Sequence, residues 1–111
     1  MPRLLLVTSL AASGIFVFSS AFAADNADKM ARGKTLFTTA TPACTLCHTL
    51  KDADAEGAVG PVLDELKPDA NRVSKVLRDG LGAMPSFKAT LSKADMAALA
   101  YYVAGATGAE K

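Results

Sequence analysis

The chain has no tryptophan, one histidine and two cysteines. With one imidazole, no site built on two histidines is possible within it. Those three side chains fall short of the four Cys or His ligands of a structural zinc site, and only carboxylates are left to complete it. An excess of one charge sign is missing too: 12 Lys+Arg stand against 11 Asp+Glu, with no basic run. Without such a run or an aromatic stripe, nothing points to nucleic acid or to an anionic membrane surface. No segment alternates apolar and polar residues cleanly enough to read as a strand, and there is no internal repeat and no second domain.

A predominantly apolar segment stands at the start. In MPRLLLVTSLAASGIFVFSSAFAAD, Arg3 supplies a positive end and an apolar stretch follows from Leu4 to about Phe18. Ala21-Phe22-Ala23 then has the small-x-small form of a cleavage site, so 1–23 reads as a signal peptide and 24–111 as one exported, periplasmic domain. The stretch contains Thr8, Ser9, Ser13 and Gly14 and is short for a membrane span. Loss of Arg3 leaves 11 basic and 11 acidic side chains, a near-neutral domain with no membrane attachment. So small a domain has much surface for its volume and often needs a staple or a buried cofactor.

The rest reads as all-α. Asp25 to about Thr38 is an amphipathic helix with Met30, Gly33 and Phe37 on one face. Residues 49–61 are polar and turn-rich, and Val62 to Leu66 forms a short helical turn. Pro68-Asp69 opens a helix that carries Val73, Val76 and Leu77 together and stops at Gly80. Residues 80–88 form an irregular loop. Ser92 and Asp95 resemble a capping box, and a last helix with Met96, Leu99, Tyr102 and Val103 inward should end near Gly105. The tail after it reads as frayed. Loops this long in a small domain imply something fixed beneath them.

Residues 44–48 read CTLCH and gather both thiols and the sole imidazole. A disulfide or redox dithiol is one reading, but no βαβ pattern surrounds the pair. Covalent attachment of a c-type haem is the other, since C-x-x-C-H is its sequence signal. Cys44 and Cys47 would add to the two vinyl groups, one helical turn spans the gap, and His48 meets the iron. The second axial position is open to Met30, Met84, Met96, a lysine or nothing. Met30 and Met96 sit at helical spacing and read as core. Met84 lies between Gly82 and Pro85 on no regular element, which favours it as the ligand in the Met/His pattern. The ring nitrogen of His48 away from the iron needs an acceptor, and the Pro61 carbonyl of Gly60-Pro61 is the candidate. Arg72, Arg78 and Lys88 are possible partners for the propionates, though each also reads as ordinary solvated surface.

These residues resemble a small bacterial class I cytochrome c over nearly all of 24–111. Gly33 and Phe37 match that family's first helix, CTLCH its haem attachment, and Gly60-Pro61-Val62-Leu63 its proximal loop. Gly82-Ala83-Met84-Pro85-Ser86-Phe87 looks like its ligand loop, and Leu99 and Tyr102 its last helix. The resemblance implies three to four helices and long loops wrapped around one haem c, with the terminal helices crossing at a glycine flanked by aromatics. One departure is the interval TTATPA between Phe37 and Cys44, longer than is usual. The cytochrome c′ type, with its motif near the C-terminus, is disfavoured.

GPVLDELKPDANRV followed by GLGAMPSF is most similar to the haem subunits or partners of bacterial sulfite dehydrogenases. The implied role is one-electron transfer without catalysis. Electrons would come from a molybdenum sulfite dehydrogenase and leave for a larger cytochrome or an oxidase. A tightly bound oxidoreductase subunit and a haem sensor or peroxidase-like protein with a labile Met84 bond are the alternatives, with a haem-free CxxC protein behind them. Near-neutral charge implies modest long-range steering of partners.

Overall fold

A computed structural model describes residues 5, 9–15 and 20–110. Of the export segment expected over 1–23, residues 5, 9–15 and 20–23 fall among them and the rest lie outside. Four helices order the described residues: α1 (Ser20–Thr39), α2 (Leu63–Leu66), α3 (Ala70–Asp79) and α4 (Lys93–Thr107). Among the described residues, no helix is long and apolar enough to cross a membrane.

Three boundaries differ from expectation, each for a local reason. Helix α1 begins at Ser20, five residues before Asp25, because the alanine-rich stretch that follows Ser20 favours helix strongly. Helix α4 runs past Gly105 to Thr107. Gly105 is a packing residue, since a Cβ there would lie 3.2 Å from the Met30 sulfur, and the helix stops at Gly108, which adopts φ +78°. The tail is not frayed. The Ala109 and Glu110 amides donate to the Ala104 carbonyl, and the Glu110 carboxylate accepts from the Ala70 amide at 3.0 Å, capping the start of α3.

The stretch read as a polar loop hides a small ladder. β1 (Thr49–Leu50) pairs antiparallel with β2 (Ala55–Glu56) around a 3₁₀ turn at Lys51–Ala53, closed by Asp54 in the left-handed region at φ 50°. Leu50 and Ala55 face inward and are buried, so the hairpin is pinned from below. Two paired residues per strand are too few to leave an alternating signature, which is why the sequence reads as loop there.

Helices α1 and α4 cross at Gly33, where a Cβ would strike the Ala98 carbonyl oxygen and the Tyr102 Cβ. Beside the crossing, Phe37 meets Tyr102 edge-on, with centroids 6.1 Å apart and planes at 66°. Met96, Leu99, Tyr102 and Val103 are all buried, and Met96 serves as core as its spacing implied. Ser92 caps α4 by accepting from the Asp95 amide. The Asp95 carboxylate does not close the box; it takes the Arg32 guanidinium of α1 at 2.8 Å.

Only 1 % of Tyr102 is exposed, and its hydroxyl donates to Asp52 at 2.6 Å. Lys34 reaches the same carboxylate at 3.4 Å. Thus Asp52 joins the hairpin that follows His48 to both crossing helices. The Tyr102 hydrogen bond, with help from Lys34, holds the Asp52 carboxyl below the usual carboxylate range, while burial and Asp52 push the Tyr102 hydroxyl up. A carboxylate with a depressed folded pKa adds stability above its unfolded value, near 3.9, and loses it as pH falls toward the folded value. Asp52→Asn should therefore be less stable than the parent at pH 7, and urea unfolding should show that gap narrowing as pH falls below about 4. A gap that stays constant would contradict the assignment.

Candidate functional site

Cys44 opens a 3₁₀ turn, Cys44–Leu46, whose carbonyl accepts from the amides of Cys47 (3.2 Å) and His48 (2.9 Å). The turn brings both thiols and the imidazole to one end of the domain. Three partners then fix the ring of His48. Its Nδ1 lies 2.8 Å from the Pro61 carbonyl oxygen. A carbonyl only accepts, so Nδ1 carries the proton and Nε2 is left with a free lone pair. Gly60 allows that approach, for a Cβ there would stand 2.5 Å from Cε1 and 2.9 Å from Nδ1. Gly57 closes the motif's backbone from the other side: a Cβ would come within 2.6 Å of the Cys47 carbonyl carbon and the His48 nitrogen. The Gly57 amide donates to the His48 carbonyl, and the Thr49 hydroxyl donates to the Gly57 carbonyl. Gly57 had no motif to mark it; only its place in the loop after CTLCH hints at a close backbone approach.

Met84 is set by a separate device. Leu81 and Met84 exchange both backbone hydrogen bonds at 3.0 Å, closing a two-residue turn over Gly82 and Ala83. Gly82 has φ +57°, whereas Ala83 is not among the positive-φ residues, which is the pattern of a type II′ turn. Gly80 ends α3 at φ 73°, ψ 170°, a region open only to glycine, and a Cβ there would lie 3.0 Å from the Met84 carbonyl oxygen. The far end of the loop is stitched back to α3 twice. The Phe87 amide donates to the Leu77 carbonyl at 2.7 Å, and the Ser86 hydroxyl donates to the Arg78 carbonyl.

Two adjoining hollows lie between these devices, with about 520 and 790 Å³ of free space, their open mouths included. Cys44, His48 and Met84 line both hollows; Cys47 and Pro61 line the outer one. The inner wall is apolar, built from residues such as Leu63, Val73, Val76, Leu99 and Val103, and Arg72 is the one charged residue in it. Arg78 and Lys88 line neither hollow. Met30 lines neither as well and packs on the core.

A slot with apolar walls, two thiols at its edge, a free imidazole nitrogen and a thioether fits a flat macrocycle carrying a metal. It fits other chemistry poorly. The two cysteines form no disulfide, and burial pushes the Cys44 thiol up to about 11, the reverse of a reactive dithiol. Among the described residues, no three His, Cys, Asp or Glu side chains converge to hold a bare metal ion.

Comparison with known proteins agrees with this geometry. The family profile described as cytochrome c oxidase, cbb3-type, subunit III matches residues 28–103. The chain belongs to the cytochrome c family. A solved relative is the c-type cytochrome SorU from Sinorhizobium meliloti, 47 % identical, with a TM-score of 0.71. The match covers 74 % of this chain and 94 % of that one. No curated protein matches. The expected class I fold is thus the observed one, and c-type cytochromes carry covalently bound haem and transfer electrons.

In this cytochrome the Gly60 contact carries a prediction. Gly60→Ala must displace the His48 ring or its own backbone, at a cost of about 1–3 kcal/mol, seen as a lower urea midpoint and a lower yield of haem-loaded protein. A variant with parental stability and loading would show that the ring does not depend on this contact.

Proposed function

We propose that the protein is an exported one-electron carrier that holds a single haem through thioethers at Cys44 and Cys47, with His48 and Met84 on the two faces of the iron. The observation that carries the proposal is the shared lining: one thiol, the imidazole and the loop methionine border the same apolar space. Bound there, the haem supplies an iron that alternates between ferrous and ferric states. The chain's own contributions are positional and electrostatic. The Pro61 carbonyl keeps the proton on Nδ1 of His48, so Nε2 stays basic and in register. The Met84 thioether, a soft ligand, favours the ferrous state and raises the potential. With His48 and Met84 both holding the iron, no position would be left for oxygen or peroxide, which accords with transfer rather than catalysis. The apolar wall keeps water away from the charge change and lets both states share one geometry.

The segment over 1–23 supports export to the periplasm and removal after Ala23. The resemblance of GPVLDELKPDANRV and GLGAMPSF to cytochromes that serve sulfite dehydrogenases supports a molybdenum enzyme of that class as donor, and a larger cytochrome or an oxidase as acceptor.

Replacement of Met84 by Ala is the discriminating experiment. The haem should stay attached, the reduced protein should bind carbon monoxide at neutral pH, and the potential should fall by about 100–300 mV, inside the roughly 0.8 V range that axial ligands span. An unchanged spectrum with no carbon monoxide binding would move the ligand elsewhere.

A further inference from the structure

The loop that carries Met84 buries little of itself. Leu81, Gly82, Ala83 and Pro85 are all exposed, so packing does not hold residues 81–85 in place. Their backbone bonds turn inward: Leu81 and Met84 pair with each other. Among the described residues, one hydrogen bond ties 81–86 to a helix. It comes from the Ser86 hydroxyl, which donates to the Arg78 carbonyl at the end of α3. The same oxygen accepts from the Lys88 amide at 3.2 Å, so the hydroxyl is engaged on both sides.

That bond completes the end of α3. The last carbonyls of a helix have no partner within it. Here the Gly80 amide takes the Val76 carbonyl, the Phe87 amide takes that of Leu77, and the Ser86 hydroxyl takes that of Arg78. Gly80 lets the returning chain pass so close, since a Cβ there would lie 3.0 Å from both the Met84 carbonyl oxygen and the Ser86 nitrogen. Pro85 joins Ser86 to Met84 with a fixed φ and no amide hydrogen, so a shift of Ser86 passes on to Met84. Beyond Ser86, Phe87 is 3 % exposed and anchors the chain with or without the hydroxyl. Loss of the Ser86 bond therefore frees 81–86 between two fixed ends and leaves the core intact.

We propose that Ser86 is the positioning residue for Met84: its hydroxyl latches the loop to α3 and sets how often the thioether leaves the iron. The proposal rests on the reading of Met84 as a ligand and deepens it. Ser86 lines neither hollow, so it acts through the backbone and not on the cofactor. A segment with few buried contacts opens locally at lower cost than the whole domain. One net hydrogen bond shifts such an opening by about three- to tenfold.

Stopped-flow binding of imidazole to the oxidised, haem-loaded protein reads the latch. Met84 must leave before imidazole can bind, so the rate should level off at high imidazole, and the plateau is the opening rate. Ser86→Ala should raise that plateau by about three- to tenfold. In the same variant the iron–thioether charge-transfer band should fade at lower urea than the far-ultraviolet signal of the helices. Ser86→Thr, which keeps a hydroxyl, should stay near the parent. Thr39→Ala is the control: it removes a hydroxyl-to-carbonyl bond of 2.8 Å to Thr35 within α1, and it should leave the plateau unchanged. A parental plateau in Ser86→Ala, an equal rise in Thr39→Ala, or no difference between the Ala and Thr variants would each overturn the proposal. So would a band that fades together with the helices in Ser86→Ala, which would make Ser86 a general stabiliser, and so would loss of haem loading in that variant, since the latch acts after attachment. A parent that lacks the band, or whose rate climbs with imidazole without a plateau, would instead count against Met84 as the ligand, and both are seen before any variant is made.

Discussion

The hydrogen bond from His48 Nδ1 to the Pro61 carbonyl is the constraint on which the rest of the site depends. It selects the tautomer, sets the ring's azimuth and frees Nε2 toward the slot. It can form because residue 60 has no Cβ to strike the ring, while Gly57 admits the backbone of Cys47 and His48. Met84 needs a different solution, since it must stand across the slot from a loop with no ladder of its own. A two-residue turn and a pair of bonds back to α3 provide it. The segments that carry His48 and Met84 are therefore each fixed by backbone geometry before any cofactor is considered. That suits a centre whose surroundings should change little between oxidation states.

Around the slot, the helix crossing supplies rigidity. The Gly33 contact, the Phe37–Tyr102 pair and the Arg32–Asp95 ion pair clamp α1 to α4 at three points. The Tyr102–Asp52–Lys34 cluster then carries that rigidity to the hairpin directly after His48. An exposed ion pair such as Lys34–Asp52 contributes little alone; its value here is that it shares a carboxylate with a buried tyrosine. The inner wall of the slot draws side chains from all four helices, chiefly α3 and α4, so the scaffold and the binding surface are one structure.

How much of this is legible in the sequence depends on how local the cause is. CTLCH, Gly60-Pro61 and the Met84 loop declare themselves because their chemistry lies within a few residues. The helices α3 and α4 do so because Asp69, Ser92 and their apolar spacing act within one or two turns. What the sequence does not display are contacts between distant positions. Asp52 and Tyr102 are 50 residues apart, and Ala70 and Glu110 are 40 apart. Nothing in either neighbourhood announces its partner. Gly105 misleads for the same reason: it looks like a helix stop, but its small size answers to Met30 across the crossing, and Gly108 is the stop.

The central claim is that one iron porphyrin is bonded to Cys44 and Cys47 and fills the slot. The mass of the intact exported protein tests it most directly. The account predicts the polypeptide beginning at Ala24 plus one haem, retained under denaturing conditions. A mass equal to the polypeptide alone, or a haem that denaturant removes, would contradict it.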